Sequence, residues 1–516
     1  MIARLSRPCA MLLVALFVAG GLWLRFQGLA RDPFWLDEAY SAFAAAHDWH
    51  FLWTVVPTYE THPPVYYSLV HLWRAMFGDG VLALRLPGAI LGAFTIAAIG
   101  VAGAALARLG QGRAFRLAAA AAALASVHPE LVMMSRQVRP YPVMILVYAL
   151  ALIPLVAIAR ARGDGKPLPR GSLAGYAAAE LAMLWLHSLG PLFAGAMGLA
   201  LLAVCDLRRL DRRGWAWLVA SQAAAILLWL PGALILAAQA QSWVASTWLV
   251  FRPEQLWTSL GQLYTGWSRP ARWLGLLLGL AGAVQMGTRV RERPMLAALL
   301  LLGIVPVAAS LALTLAVAPV FLVRTLSPVA APALLLIARG ACPRGLARHL
   351  ALLPLAALLL VLARIDRDIT AAPPMQDWYA ALRWLGPRAG AGDEIWAYPN
   401  EGALPLAYAM RDLAATGSGP RLRVRAVPTI VPATGWRGVH PTGSMGVVSL
   451  FPDQIAALAA SPQACAPRTL WLLRLGPWAY DKGDRMLNAL AARRERVGAQ
   501  RWGPIDIVGL RRNGRC

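Results

Sequence analysis

Long apolar runs separated by arginine-rich loops leave this chain few folds to choose from. A helix crossing the ~30 Å hydrocarbon core of a bilayer needs about 20 mostly apolar residues. Runs of this kind lie at Met11–Phe26, Val81–Leu106, Phe115–Met134, Tyr141–Ala159, Leu173–Leu189 and Pro191–Cys205. Further runs lie at Trp215–Leu236, Trp273–Met286, Met295–Val317, Val320–Ile337 and Leu350–Ile365. They predict about eleven transmembrane helices. Composition agrees, since 59% of residues are hydrophobic and only 14% are charged, against about 25% charged in soluble proteins. A cytosolic globular enzyme and a disordered chain are both excluded. The expected fold is an α-helical polytopic membrane protein.

The net charge of +24 would suggest nucleic acid if its position were ignored. Nearly all the basic residues are arginine, the two lysines being Lys166 and Lys482. One alternating set of loops holds Arg4 and Arg7, then Arg108, Arg113 and Arg116, then Arg160, Arg162, Lys166 and Arg170. Arg208, Arg209, Arg212 and Arg213 follow, then Arg289, Arg291 and Arg293, then Arg339, Arg344 and Arg348. Basic loops stay cytoplasmic, so the N-terminus is expected inside and the C-terminus outside. The excess charge sets orientation, and no nucleic-acid partner is implied. The first run follows Arg4 and Arg7 but lacks a small-x-small cleavage site, so it reads as a retained anchor.

The expected domains are 1–365, a transmembrane domain with 27–80 as its first external loop, and 366–516, an extracytoplasmic α/β domain. In the latter, Asp393–Tyr398, Arg423–Ile430 and Thr469–Leu475 read as strands, and Gly402–Leu413, Asp453–Ala460 and Asp484–Arg494 as helices. Alternating strands and helices predict a small α/β fold. Cys465 and Cys516 both fall outside the membrane, where a disulfide can form, and the sequence leaves their pairing open. No strong metal-ligand spacing occurs.

The first external loop carries the chemistry. Asp37 and Glu38 are adjacent acids just beyond the first span, a placement that is uncommon without a task, although a headgroup-solvated charge pair is the plain alternative. Tyr59–Trp73 reads YETHPPVYYSLVHLW. Proline suits the first helical turn, so His62 stands at or just before a helix N-terminus, where an anion such as phosphate is favoured. His71 reads as a packing residue. The loop aromatics, among them Trp35, Tyr40, Trp49, Trp53, Tyr66 and Trp73, fit an interfacial belt or a platform for a sugar ring or isoprenoid. Arg85 either snorkels or pairs with an acid or phosphate. The aromatic segment Gln239–Arg272, with Trp243 and Trp248, reads equally as a lid or as an interfacial helix.

The order span, LDEA, HPPVYY, RLPGAILGAFTI resembles the polytopic C-type-fold glycosyltransferases that use polyprenyl-phosphate sugars. The nearest branch is similar to the protein O-mannosyltransferases and lipid A aminoarabinose transferases. Ser135–Tyr141 (SRQVRPY) and Phe321–Ile337 (FLVRTLSPVAAPALLLI) add weaker likenesses. The resemblance covers roughly 11–340. It implies inverting transfer of a sugar from a polyprenyl-phosphate carrier to an acceptor hydroxyl, at a bacterial inner membrane, on the extracytoplasmic face. Asp37 aligns with the family's catalytic aspartate, with Glu38 orienting the acceptor or Asp37. His62, Arg139 and Arg324 are the candidates for donor-phosphate binding, and Tyr40, Tyr66, Tyr141 and Glu130 are candidate substrate contacts. Each arginine also reads as an interface anchor. Gln137 stands where relatives often carry glutamate, and Glu130 is the nearby substitute. Histidine replaces a common lysine at position 62; it binds phosphate when protonated or a metal when neutral, so a divalent metal stays open and no other cofactor is implied. The acceptor is a lipid, a glycan or a protein. The competing reading is a transporter or lipid flippase. Transporters place ionisable groups and broken helices near the midplane, whereas here the acids cluster in a loop.

Overall fold

A computed structural model of the chain describes residues 7–110, 114–245, 247, 249–343, 347–415, 417, 422–434, 447–514 and 516. Arg4, Arg113, Arg344 and Trp248 lie outside them, as do the side chains of Arg7, Trp243 and Arg348.

Among the described residues, four helices are long and apolar enough to cross a membrane: Val81–Leu109, Tyr141–Gly163, Arg212–Ala240 and Arg293–Ala316. Shorter apolar helices occupy Met11–Phe26, Ala114–Ser126 and Gly190–Val204. Helices also form at Arg170–Leu186, Arg269–Gly287 and Leu352–Ala371. Ile226, Leu227, Leu228, Leu230 and Leu234 are exposed on the third of the long helices, as expected of a face that meets lipid rather than water.

Two expected spans are not single helices. The run at Phe115–Met134 ends as a helix at Ser126 and resumes at Pro129. His128 is extended there, with φ −76° and ψ 116°, because the residue before proline is pushed out of the helical region. The run at Val320–Ile337 divides into a short helix Val323–Leu326, a 3₁₀ turn Ser327–Val329 and a helix Ala330–Gly340. Pro328 interrupts it. Non-helical backbone at such depth is tolerated where it is buried in protein or lines a cavity.

Contacts divide the chain into two compact units. One holds the described residues of Met1–Leu29, Arg85–Ile235 and Phe251–Ala371, and the other those of Ala30–Leu84, Leu236–Val250 and Ala372–Cys516.

In the first unit, Arg25 is fully buried and makes four side-chain hydrogen bonds. Its Nε donates to Ser135 Oγ at 2.9 Å, and its Nη atoms donate to the carbonyls of Gly21 at 2.9 Å, Ser126 at 3.1 Å and Ala125 at 3.3 Å. The clamp ties the first apolar helix to the broken one, and it requires small residues alongside. A Cβ at Gly92 would lie 2.5 Å from Arg25 Nε, and one at Gly88 would lie 2.6 Å from the Ser135 carbonyl oxygen. The RLPGAILGAFTI glycines thus admit the SRQVRPY backbone. Gly88→Val is expected to destabilise the protein by about 1–3 kcal/mol, as overpacking against backbone does, read as a lower melting temperature in detergent. An unchanged melt would mean the two segments separate freely.

The second unit contains a five-stranded sheet in the order β2-β1-β3-β5-β4. Its strands are β1 (Glu394–Tyr398), β2 (Arg423–Ala426), β3 (Thr469–Leu475), β4 (Arg494–Trp502) and β5 (Ile505–Arg512). β1 pairs in parallel with β2 and β3, and β5 pairs antiparallel with β3 and β4. β3 is buried along its whole length. Trp471 and Leu473 join one core with Trp378, Leu406 and Ile507, while Leu470 and Leu472 join another with Trp396, Met486 and Leu510. A strand covered on both faces reads as a near-continuous apolar run, which is why TLWLLRL was recognisable. Helices Ala403–Ala415, Pro452–Ala459 and Arg485–Ala491 match the expected ones. The antiparallel pair β4–β5 has no clear sequence signal, because β4 (RERVGAQRW) is mostly polar and exposed and shows no apolar alternation. Cys465 and Cys516 form a disulfide, with Cα atoms 5.2 Å apart.

Residues 30–84 pack into this same unit. Arg31 Nη2 donates to the Ala372 carbonyl at 3.0 Å, and the Leu36 amide donates to Gln376 Oε1 at 3.0 Å. The Phe34 and Tyr408 rings meet edge to face at 5.6 Å. Gln239 Nε2 donates to the carbonyls of Glu60 at 2.7 Å and Pro57 at 3.1 Å, so the end of the long helix Arg212–Ala245 is tied to the loop.

Candidate active site

The first external acids open the helix Leu36–Ala45. Acidic residues in a first turn favour the helix through its dipole. Glu38 is 0% exposed, and its Oε2 accepts the Trp35 amide at 3.3 Å. Its carboxylate therefore spends one oxygen on the orphan donor at the helix start. Asp37 is half-buried and keeps access to the surface.

A third carboxyl lies beside Asp37. Glu401 sits in the 3₁₀ turn Asn400–Gly402, directly beyond β1. Asn400 fixes that turn, donating from Nδ2 to the Ile430 carbonyl at 3.0 Å and accepting the Val448 amide at 2.9 Å. Tyr480 lies beyond the neighbouring parallel strand β3, after Gly476, whose φ of 60° reverses the chain there. The Tyr480 hydroxyl donates to the Glu401 carboxyl. In open α/β sheets the carboxyl ends of parallel strands are where ligand sites form. Glu401 is 4% exposed. Burial, and next the charge of Asp37, push its carboxyl up to about 8, against the opposing pull of the Tyr480 hydrogen bond. At neutral pH it holds its proton.

Tyrosines surround this pair. Tyr40 is 7% exposed, and its hydroxyl has no hydrogen-bond partner among the described residues. Burial raises its ionisation well above the ordinary range, and the charges of Glu401 and Glu60 add to it. The ring of Tyr59 lies 6.1 Å from that of Tyr40. A buried donor left without a partner is costly, so the Tyr40 hydroxyl is poised for a hydrogen-bonding ligand. Among the loop aromatics Tyr40, Tyr59, Tyr66 and Tyr67 are buried, Trp35 and Trp73 are half-buried, and Trp49 and Trp53 are exposed. His62 is buried one residue before Pro63, and the helix Pro64–Phe77 starts at Pro64. His71 Nδ1 pairs with the Ala45 carbonyl at 3.0 Å, a packing position.

The other sequence-selected residues gather in the first unit, where the two broken spans meet. Glu130, on the short helix Pro129–Met134, is fully buried. Its carboxylate accepts from Ser327 Oγ at 2.6 Å and from Gln262 Nε2 at 2.8 Å, and the charge of Arg324 bears on it. Arg324 and Arg139 both lie within electrostatic reach of His187, whose ring is 6.0 Å from that of Tyr141. Arg139 and Tyr141 are buried, and Arg324 is half-buried. Two arginines around one histidine suit a phosphate, which the guanidinium fork engages in bidentate fashion. Arg85 donates to the Leu29 carbonyl at 3.0 Å.

Sequence reasoning missed Glu401, Tyr480 and His187. The signal for Glu401 was present, as an acid directly after the strand DEIWAYP. His187 directly follows the helix Arg170–Leu186, and no local motif marks it. Among the described residues no three His, Cys, Asp or Glu side chains converge to hold a metal ion.

No protein-family model matches the chain, and no curated protein matches it. Solved structures do match in fold. ArnT from Cupriavidus metallidurans in the apo state aligns over 97% of this chain and 98% of its own, with a TM-score of 0.57 at 15% identity. The same protein bound to undecaprenyl phosphate aligns over 96% and 97%, with a TM-score of 0.53 at 15% identity. The apo oligosaccharyltransferase from Archaeoglobus fulgidus aligns over 95% of this chain and 73% of its own, with a TM-score of 0.57 at 12% identity. Together with the apolar helices, these likenesses establish a multi-pass membrane protein of the C-type glycosyltransferase fold.

Proposed function

We propose that the protein is an inverting glycosyltransferase that moves a sugar from a polyprenyl-phosphate carrier to an acceptor hydroxyl. Asp37 carries the reading: a half-buried carboxylate on a first helical turn, beside a carboxyl that burial keeps protonated. Of the acids gathered there, Asp37 is suited to take a proton, since Glu401 already holds one and Glu38 is engaged with the Trp35 amide.

In the proposed step the acceptor O–H proton passes to Asp37. The acceptor oxygen forms a bond to the anomeric carbon from the face opposite the leaving group, as inversion demands. The bond from that carbon to the carrier-phosphate oxygen breaks, and its electron pair leaves with the phosphate. The products are the inverted glycoside and polyprenyl monophosphate. Charge gathers on the leaving phosphate in the transition state, where fixed cations are most effective; by the family resemblance, Arg139, Arg324 and His62 are the residues proposed for that role. ArnT, of the same fold, has been solved with undecaprenyl phosphate bound, which supports a polyprenyl-phosphate ligand here. The arginine-rich loops support a cytoplasmic N-terminus, about eleven spans, a transmembrane domain over 1–365 and an extracytoplasmic one over 366–516, in a bacterial inner membrane.

The test is lipid-linked sugar profiling in a strain lacking the protein. The donor should accumulate; an unchanged pool would sink the reading and leave a transporter as the alternative. Arg324→Ala should weaken donor use by about 10–100-fold, the value of a charged hydrogen bond of roughly 1.5–3 kcal/mol. An unchanged apparent donor affinity would make Arg324 an interface anchor only.

A further inference from the structure

A cavity of about 290 Å³ opens beyond the carboxyl end of β3. That is close to the lower end of the ~300–1,000 Å³ range of small-ligand sites, room for about one sugar ring. Its walls come from the segment Pro477–Asp484, the end of β3, and the turn and strand residues Arg501 and Asp506.

Its chemistry is specific. Trp478 lines the cavity and is 60% exposed, an indole left at the surface of a domain in which Trp378, Trp396 and Trp471 are buried. Arg501 stacks over it at 5.5 Å from the ring centroid. At the floor, Arg474 is held by three carboxylates. Its Nη1 donates to Asp481 Oδ2 at 2.9 Å and to Asp484, and its Nε donates to Asp506 Oδ2 at 2.9 Å. Asp484 is the one non-glycine residue among those described with a positive φ, 54°. Such backbone is costly and persists where surrounding structure enforces it, commonly at ligand sites. The Asp484 side chain is 55% exposed although one oxygen is anchored.

These features discriminate between ligand classes. The guanidinium of Arg474 already stands where the three carboxylates would hold a cation, so a divalent metal has no vacant place. Three aspartates against two arginines leave the lining with net negative charge, which disfavours an anion. What is offered is an aromatic surface beside fixed carboxylate acceptors, which suits a neutral ligand with apolar C–H faces and O–H donors. We propose that this cavity is a sugar-binding site, taking a single neutral pyranose or furanose ring against Trp478 with its hydroxyls on Asp484 and Asp506. The wall segment that forms it also carries Tyr480, whose hydroxyl holds Glu401. Sugar binding here is independent of Asp37 acting as a base.

The test uses the full-length detergent-solubilised protein and a panel of methyl glycosides, hexopyranosides and pentofuranosides, followed by saturation-transfer NMR and titration. At least one glycoside should bind with a Kd on the order of 1 mM, and Trp478→Ala should weaken it at least about tenfold. Trp478 is exposed, so the variant should fold, and its melting curve checks that; Arg501→Ala serves as a second variant with the same expected loss. Asp37→Asn should bind the glycoside as wild type does, which separates this site from the transferase reading. No binding by any glycoside, or equal binding by Trp478→Ala, would overturn the proposal. Saturable calcium or phosphate binding lost in Trp478→Ala, without glycoside binding, would overturn it too.

Discussion

Asp37→Asn is expected to abolish sugar transfer while leaving a folded membrane protein. Asparagine keeps the shape of the side chain but cannot accept the acceptor's proton, and loss of a positioned general base costs about 10²–10⁴ in rate. The fold should tolerate the change. The helix Leu36–Ala45 is anchored by the Leu36 amide on Gln376 and by Glu38 on the Trp35 amide, neither of which involves the Asp37 carboxylate. The melting temperature should move little, since asparagine matches aspartate in size and keeps a side-chain oxygen that accepts hydrogen bonds. Glu38→Gln supplies the contrast. It perturbs a fully buried carboxylate at the helix start, so it should lower stability as well as activity. Purified Asp37→Asn with wild-type turnover would end the assignment of Asp37 as the base.

The fold was legible where a single physical signal dominates a segment. The apolar runs predicted most helices within a few residues, and TLWLLRL declared β3 because both its faces are buried. Reading failed where proline competes with apolar character. Pro129 and Pro328 break runs that hydropathy alone joins, and the breaks bring the Glu130 carboxylate to the Ser327 hydroxyl. The same limit applies to the candidate site. Asp37, Glu38 and His62 stood out because acids and a His-Pro-Pro string near a membrane need explaining. Glu401 and Tyr480 come from the far end of the chain and meet Asp37 only through the sheet, where adjacent parallel strands end side by side. No local pattern encodes that meeting. Arg25, near the end of the first apolar helix, is likewise marked by no local pattern: it is buried and serves as a clamp on Ser135.

Glu401→Gln should flatten the alkaline side of the protein's stability profile. The wild-type carboxyl has its pKa raised in the folded state, from 4.5 to about 8. Below about pH 4.5 both folded and unfolded chains hold the proton, and Glu401 contributes no pH dependence. Between there and about 8 the folded chain holds a proton that the unfolded chain has released, so stability falls as pH rises, and the loss is complete above the folded pKa. At about 1.36 kcal/mol for each pH unit between the two values, the full loss is on the order of a few kcal/mol. Glutamine carries no such proton and keeps a hydrogen-bonding partner for Tyr480. The variant should therefore match wild type near pH 5 and melt at a higher temperature than wild type near pH 9. The same substitution should act on Asp37. Once Glu401 ionises, a second negative charge stands beside Asp37 where the acceptor proton is transferred, so wild-type kcat/KM should bend near pH 8 while Glu401→Gln should not. Parallel melting curves for the two proteins across this range would show that Glu401 ionises freely in the fold. A bend near pH 8 persisting in Glu401→Gln would assign it to another group, and Tyr40 and Tyr480 would not supply it, because burial holds both hydroxyls well above that range.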